Sequence, residues 1–250
     1  MPAIKENERI DATGFGTVKI IQDPEEFCYG VDAVVLSDFA AKRARTIRKE
    51  TRIIDLGTGS GIIPLILSHK TTAETIKGVE IQEASWDRAV RSAELNELTH
   101  KLEFINCDIH DLLRLRPELR GSFDIVTCNP PYMPESGGLK SENPAKMIAR
   151  HETTANMEAF IRVASDLLKD HGEMFMVHRP SRLVDIFYYG RVHKLEPKTA
   201  RPIIPKWGVA ANIVMVHMIK HGGVDLQVMS PIPVHNPDGS FTEELKEAYL

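Results

Sequence analysis

The run Thr51-Arg52-Ile53-Ile54-Asp55-Leu56 narrows the fold more than any other stretch of this chain. It is β-branched and almost continuously apolar, the composition of a strand buried on both faces of a parallel sheet. Gly57-Thr58-Gly59-Ser60-Gly61 follows at once. Ile62-Ile63-Pro64-Leu65-Ile66-Leu67 then starts a helix, with proline in the first turn where it is tolerated. Strand, glycine-rich turn and helix together make a unit whose backbone can approach a ligand closely. Such a turn does not name its ligand. Dinucleotide folds use G-x-G-x-x-G, whereas the glycines here alternate at 57, 59 and 61. Asp55, just before them, would repel a phosphate and attract a cation.

The units that follow repeat the pattern. Residues 74–80 read as a second strand ending in Glu80, 25 residues after Asp55. A carboxylate at that place is the one expected to hold ribose hydroxyls. Residues 82–96 read as a helix, and residues 102–107 as a third strand followed by Asp108 and Ile109. Asp108 is equally a candidate helix N-cap. Residues 123–128 form another apolar strand, and Asn129-Pro130-Pro131-Tyr132 closes it. Neither proline has an N–H to donate, so pairing stops there, and Pro130 pushes Asn129 out of the helical region. The result is a stiff loop at the carboxyl end of a strand, where open α/β sheets bind ligands. It presents a carboxamide, a free carbonyl and an aromatic ring, which suits a flat, amino-bearing group. For the tetrapeptide alone, an ordinary strand-ending turn is the competing reading.

Beyond it, residues 134–150 are a long polar loop, residues 153–169 a helix, residues 172–178 a strand and residues 181–189 a short helix. Residues 194–204 and 212–219 then read as two strands. Residues 221–250, with Pro231, Pro233, Pro237 and Gly239, read as an extended, weakly packed tail. No internal repeat is present.

Composition sets bounds rather than answers. A chain of 250 residues can bury one full α/β core with length to spare. The charged amino terminus is unlike a secretory signal, and no apolar run approaches the roughly 20 residues of a membrane helix. The three cysteines are odd in number and widely spaced, with neither a metal nor a disulfide pattern. These features predict a cytoplasmic protein with no membrane and no metal. A net charge of −4 does not advertise nucleic-acid binding, yet residues 42–49 carry five cations. Arg114, Arg116 and Arg120 form a looser group, and Arg191, His193 and Lys194 another. Each could touch phosphates, and each could equally be a solvated helix end.

The pattern from Asp55 to Gly61 resembles the D-x-G-x-G-x-G motif of class I S-adenosylmethionine-dependent methyltransferases. That resemblance implies a Rossmann-like α/β fold, a seven-stranded sheet that is mostly parallel with an antiparallel last strand. It implies S-adenosyl-L-methionine as cofactor, its amino-acid portion over Asp55, Gly57, Thr58, Gly59 and Gly61. Glu80 would take the ribose, Asp108 the adenine amino group, and Ile81 or Ile109 would pack the ring, with Asn129 also bordering the cofactor. Domain organisation reads as an amino-terminal extension of strands plus helix (1–50), the methyltransferase domain (51–220) and the tail (221–250).

The amino-terminal segments 15–22 and 27–37 narrow the likeness. With Arg150-His151-Glu152, they resemble the bacterial tRNA adenine-N6 methyltransferases that act on the purine beside the anticodon of valine tRNA. The family implies tRNA as the partner, Asn129, Pro130, Pro131 and Tyr132 as the catalytic loop, and residues 30–32 at the border of the site. Asp32, Arg43, Arg45, Arg48 and Arg150 are the candidate RNA contacts, and Asp32 could instead be a helix N-cap. Three other readings stay open. Glutamine-N5 methylation of a protein such as a release factor uses the same loop. Guanine-N2 methylation of ribosomal RNA is a further enzyme reading. The non-enzyme reading is a degenerate methyltransferase fold that only binds a partner.

Overall fold

The computed structural model describes residues 2–26, 28–44, 47–130 and 157–250. The elements in chain order are β1 (Arg9–Ala12), β2 (Lys19–Gln22), α1 (Val31–Arg43), β3 (Arg52–Leu56), α2 (Ile62–Lys70), β4 (Thr75–Glu80), α3 (Glu83–Leu95) and β5 (Leu102–Asn106). Next come α4 (Ile109–Leu115), β6 (Phe123–Cys128), α5 (Met157–Leu167), β7 (Leu168–His178), α6 (Leu183–Val192), β8 (Leu195–Ile204) and β9 (Ile213–Lys220). The chain ends with β10 (Gln227–Val228), β11 (Ile232–Pro233) and α7 (Glu243–Ala248).

Strands β5, β4, β3, β6 and β7 lie side by side in that order, all parallel, and β9 then β8 complete the row. Strand β9 is antiparallel to both its neighbours, so β8 points the same way as β3. Seven long strands with an antiparallel last one match the sequence expectation. Two-residue strands β10 and β11 add to β8 and bring the sheet to nine among the described residues. Strands β1 and β2 form a separate antiparallel hairpin.

Alternation along the strands divides the core into two layers. Ile53, Phe175 and Val177 face the layer with Val34, Leu36, Leu65 and Leu245. Ile54, Leu56, Met174 and Met176 face the layer with Phe160, Ile161 and Leu167. Helix α5 buries Phe160, Ile161 and Leu167 almost completely. Each such side chain contributes on the order of 1.5–3 kcal/mol by leaving water. Strand β4 carries Gly78 because a Cβ there would lie 2.6 Å from the Phe104 ring and 2.8 Å from the Thr58 methyl.

Three expectations are corrected. The helix read over residues 153–169 ends at Leu167, and Leu168 opens β7 opposite Phe123 before a register shift brings Glu173 opposite Ile125. The start of that helix lies outside the described residues. Asp32 is not an N-cap: Gly30 holds that position, and Asp32 sits in the first turn of α1. The carboxy-terminal stretch is docked, not a loose tail. Thr242 caps α7, Leu245 is fully buried, and the Tyr249 ring stacks on Phe15 with centroids 5.7 Å apart. Apolar Leu245, Ala248 and Tyr249 at helical spacing were the overlooked signal.

Candidate active site

The carboxyl ends of β3, β4, β5 and β6 converge, and each delivers one of the residues singled out from sequence. Gly57, Gly59 and Gly61 have φ of 71°, 55° and 87°, the left-handed region that an L side chain enters at a cost. This explains the alternating glycines: every second residue of the turn is left-handed. Gly57 and Thr58 N–H groups donate to the Val79 carbonyl at 2.9 and 3.0 Å, fastening the turn to β4.

Asp55 is fully buried on β3. Its Oδ1 accepts a hydrogen bond from the Thr127 hydroxyl of β6 at 2.7 Å, while Oδ2, near the Thr58 hydroxyl, makes no full hydrogen bond among the described residues. Burial pushes its pKa up to about 7, Thr127 and nearby Thr58 oppose the rise, and Glu80 adds to it. The Thr58 hydroxyl is also buried without a full hydrogen bond. A carboxylate oxygen and a hydroxyl thus lie desolvated under the turn without a full hydrogen bond among the described residues.

Glu80, the last residue of β4, is buried and held from two sides. Its Oε2 accepts from the Gly59 N–H at 2.8 Å and its Oε1 from the Gln82 N–H at 2.9 Å. Asn106 at the end of β5 donates to the carbonyls of Glu80 (2.8 Å) and Ile81 (3.1 Å), tying the two strand ends together. Sequence reading passed over Asn106, although a carboxamide closing an apolar strand is a visible signal. Ile81 is left 41% exposed beside this cluster, and Ile109 is buried. Asp108 caps α4, accepting from the His110 N–H at 2.8 Å and meeting the His110 Nδ1 at 2.8 Å. Burial raises its pKa, but the His110 hydrogen bonds more than offset this and hold it below the ordinary carboxylate value.

Leu56 pairs with Cys128, so Gly57 and Asn129 leave their strands side by side. Pro130 is buried next to Asn129. Pro131, Tyr132, Arg45 and Arg150 lie outside the described residues. Strand β7 ends level with this loop in His178, which sequence reading missed. Its Nδ1 accepts from the Arg179 N–H at 2.8 Å. Burial, then the Arg182 cation, lower its pKa to about 4, so the ring is neutral.

Helix α1 leads toward the amino-terminal ends of the strands, which puts its start, and Asp32, toward the carboxyl edge. Arg43 and Arg48 lie at the other end. Arg43 donates to the Thr199 hydroxyl at 3.2 Å, and the Arg48 carbonyl accepts from the Thr51 N–H at 3.1 Å as the chain enters β3. The structure therefore does not bring Arg43 and Arg48 to the strand-end cluster. Arg114, Arg116, Arg120 and Arg191 are each paired with a carboxylate. Among the described residues no group of metal-ligating side chains is present, and no helix is long and apolar enough to cross a membrane.

A family model described as a methyltransferase domain matches residues 47–201. The chain is 27% identical over 166 residues to a tRNA1(Val) (adenine(37)-N6)-methyltransferase of Porphyromonas gingivalis, covering 66% of this chain. It thereby spans 64% of that relative's length. A Bacteroides thetaiotaomicron protein of the same name is 24% identical over 225 residues, 88% of this chain and 90% of its own. Among solved structures, a predicted O-methyltransferase from Agrobacterium tumefaciens superposes with a TM-score of 0.68 at 22% identity, covering 87% of this chain and 95% of its own. The M. jannaschii TYW2 structure with AdoMet gives 0.57 at 16% identity, covering 86% of each chain.

Proposed function

This chain belongs to the methyltransferase-domain family, and from that premise we propose that it methylates the exocyclic N6 of an adenine in tRNA, using S-adenosylmethionine. The proposed target is the purine at nucleotide 37 of valine tRNA, the substrate in the names of the relatives above. The observation that carries the reading is the pairing of an unsatisfied, buried Asp55 oxygen with Asn129 emerging beside Gly57.

The residues fit the cofactor. Asp55 Oδ2 and the Thr58 hydroxyl are buried oxygens that lack a full hydrogen bond among the described residues, and they would accept from the cofactor's ammonium group. Gly59 has nothing of the described residues within 4 Å of where a Cβ would stand, its chain neighbours aside. The Gly59 and Gln82 N–H groups fix the Glu80 carboxylate at the end of β4, where the family places the ribose hydroxyls. Ile81 offers an apolar surface, and Asp108 an acceptor, to the adenine. When bound, the cofactor supplies a methyl group on a sulfonium, an electrophile that needs an aligned nucleophile more than a strong base.

The remaining work falls to this chain. The N6 lone pair of adenine is delocalised into the ring. The Asn129 side-chain oxygen and the Pro130 carbonyl accept its two N–H groups, draw the nitrogen toward tetrahedral geometry and restore electron density to it. The family's catalytic loop also includes Pro131 and Tyr132, which lie outside the described residues, and Tyr132 is proposed as the aromatic partner of the base. Alignment carries much of the rate, and the proton leaves once the nitrogen is cationic. An anticodon-loop base must be splayed from its neighbours to enter.

The test is methyl transfer from labelled S-adenosylmethionine to unmodified bulk tRNA, followed by nucleoside digestion and mass spectrometry. N6-methyladenosine is the expected product. Label absent from tRNA but present on a release-factor glutamine would overturn the substrate and keep the chemistry. Failure to bind the cofactor at all would leave only a binding role.

A further inference from the structure

Resting on tRNA as substrate, we propose that the turn of residues 206–209 is a base-stacking arm of the RNA site. In it Trp207 stacks on a nucleobase beside the target adenine, and Lys206 and Arg182 meet the adjoining phosphates. The topology sets the place. Strand β8 points the same way as β3, β6 and β7, so the β8–β9 loop leaves the sheet at the same edge as Asn129. Strands β7 and β9 lie between, which puts the two loops about 15 Å apart at the usual strand spacing. A few nucleotides cover that distance.

The turn itself is built to display its ring. The Val209 N–H donates to the Lys206 carbonyl at 3.2 Å, and Gly208 has φ of 81°, the geometry of a turn that needs glycine at its third residue. Trp207, at the second, projects outward and is 65% exposed. Its ring meets no other ring among the described residues. The chain's other tryptophan, Trp86, is half-buried and donates its Nε1–H to the Phe104 carbonyl at 3.0 Å. A tryptophan held in water at a ligand edge has a π-face to offer, and every base can use one.

The arm is braced and positive. Arg179, just past β7, donates to the Asn212 carbonyl at 3.0 Å and joins the loop to the strand beside Asn129. The His235 N–H donates to the Pro205 carbonyl at 3.0 Å, so the docked carboxy terminus supports it from the other side. Residues 199–213 contain no acid. Lys206 is exposed and makes no ion pair among the described residues, and the exposed Arg182 pairs with the half-exposed Asp185 at 3.1 Å. A protein partner would not need this charge; a phosphate backbone does.

The full chain carries its own probe, because Trp86 and Trp207 are its only tryptophans and red-edge excitation selects them over the tyrosines. Unmodified bulk tRNA should quench the tryptophan fluorescence of the wild type and of Trp86→Phe, and leave Trp207→Phe unquenched. Trp207→Ala should raise KM for tRNA about 5- to 150-fold, the range that alanine substitution of base-stacking residues gives, with kcat and cofactor affinity little changed. Trp207→Phe, which keeps a π-face, should retain most of the affinity. A Trp207→Ala variant with unchanged KM, in an enzyme that does methylate tRNA, overturns the arm and spares the substrate. Quenching by a release factor instead of tRNA overturns it too. A wild type that neither binds nor methylates tRNA overturns the substrate reading, and the arm with it.

Discussion

The two edges of this one sheet treat polar groups in opposite ways. At the amino-terminal edge, Asp124 accepts from the Arg52 N–H at 2.8 Å and from Lys169 Nζ at 2.6 Å. Lys101 Nζ donates to the Ser68 carbonyl at 2.7 Å, and Lys49 meets Glu74 at 3.3 Å. The exception, a buried Arg52 Nε, belongs to a guanidinium that lies over the Phe123 ring at 5.1 Å. At the carboxyl edge Asp55 and Thr58 keep buried oxygens without a full hydrogen bond among the described residues, while Ile81 and Trp207 stand in water. Unpaired buried polar atoms cost folding free energy. The carboxyl edge is therefore less stable than the same strands could make it, and this marks it as the edge shaped for ligands.

The largest effect that sharpens this contrast is in Asn129→Ala. Turnover should fall by about 10²–10³-fold, comparable to the loss of one oriented polar group from a pre-organised site. Cofactor affinity, read by titration, should hardly move. Half of the turnover surviving would break the assignment of Asn129 to the reacting amine.

Asp55→Asn comes next and should separate stability from function. Removing a charge-assisted partner should weaken cofactor binding by about 10- to 100-fold. Wild-type affinity should climb as pH rises through about 7, where Asp55 ionises, and the Asn variant should show no such climb. The folded pKa lies above the unfolded value of 3.8, so this group's contribution to stability falls as pH rises from about 4 to about 7. At pH 8 the variant should thus be the more stable protein, by up to about 4 kcal/mol. Chemical denaturation at two pH values checks the sign.

His178 gives the opposite slope. Its folded pKa of about 4 lies below the ordinary 6.5, so its contribution is whole above that value and is lost as pH falls toward 4. His178→Gln should remove up to about 3 kcal/mol of this acid sensitivity. In the wild type the two slopes overlap and partly cancel between about pH 4 and 6.5, and each single variant should uncover the other. Parallel acid-denaturation curves for wild type and variant would exclude His178 as the titrating group.

What the sequence made legible follows from what is local. The run from Thr51 to Leu67 specifies strand, left-handed turn and helix by residue type alone, and the glycines at 57, 59 and 61 need no tertiary knowledge. Glu80 and Asp108 were legible because strand ends in a parallel sheet share one edge. His178 and Thr127 were not, since their meaning comes from neighbours far along the chain: β7 beside β6, and Thr127 opposite Asp55. The boundary of α5 was misjudged because Leu168 and Lys169 suit a helix, and only pairing with Phe123 draws Leu168 into the sheet. Arg43 and Arg48 show the same limit, a charge run being visible in sequence and its edge of the sheet not.

The smallest effect is the control at the other edge. Asp124→Asn removes a carboxylate as Asp55→Asn does, but from a group whose hydrogen bonds are made: the Arg52 N–H and the Lys169 ammonium. The amide can still accept from the backbone, and the partly exposed lysine pair is screened, so the loss should be about 1 kcal/mol in stability. Methyl transfer and cofactor affinity should be unchanged, because Asp124 stands at the far end of its strand from Asn129. The two substitutions should therefore move stability in opposite directions at pH 8 while only one touches function. If Asp124→Asn stabilised the protein, a carboxylate whose hydrogen bonds are made would be as costly as that of Asp55. The difference between the two edges would then have no physical basis.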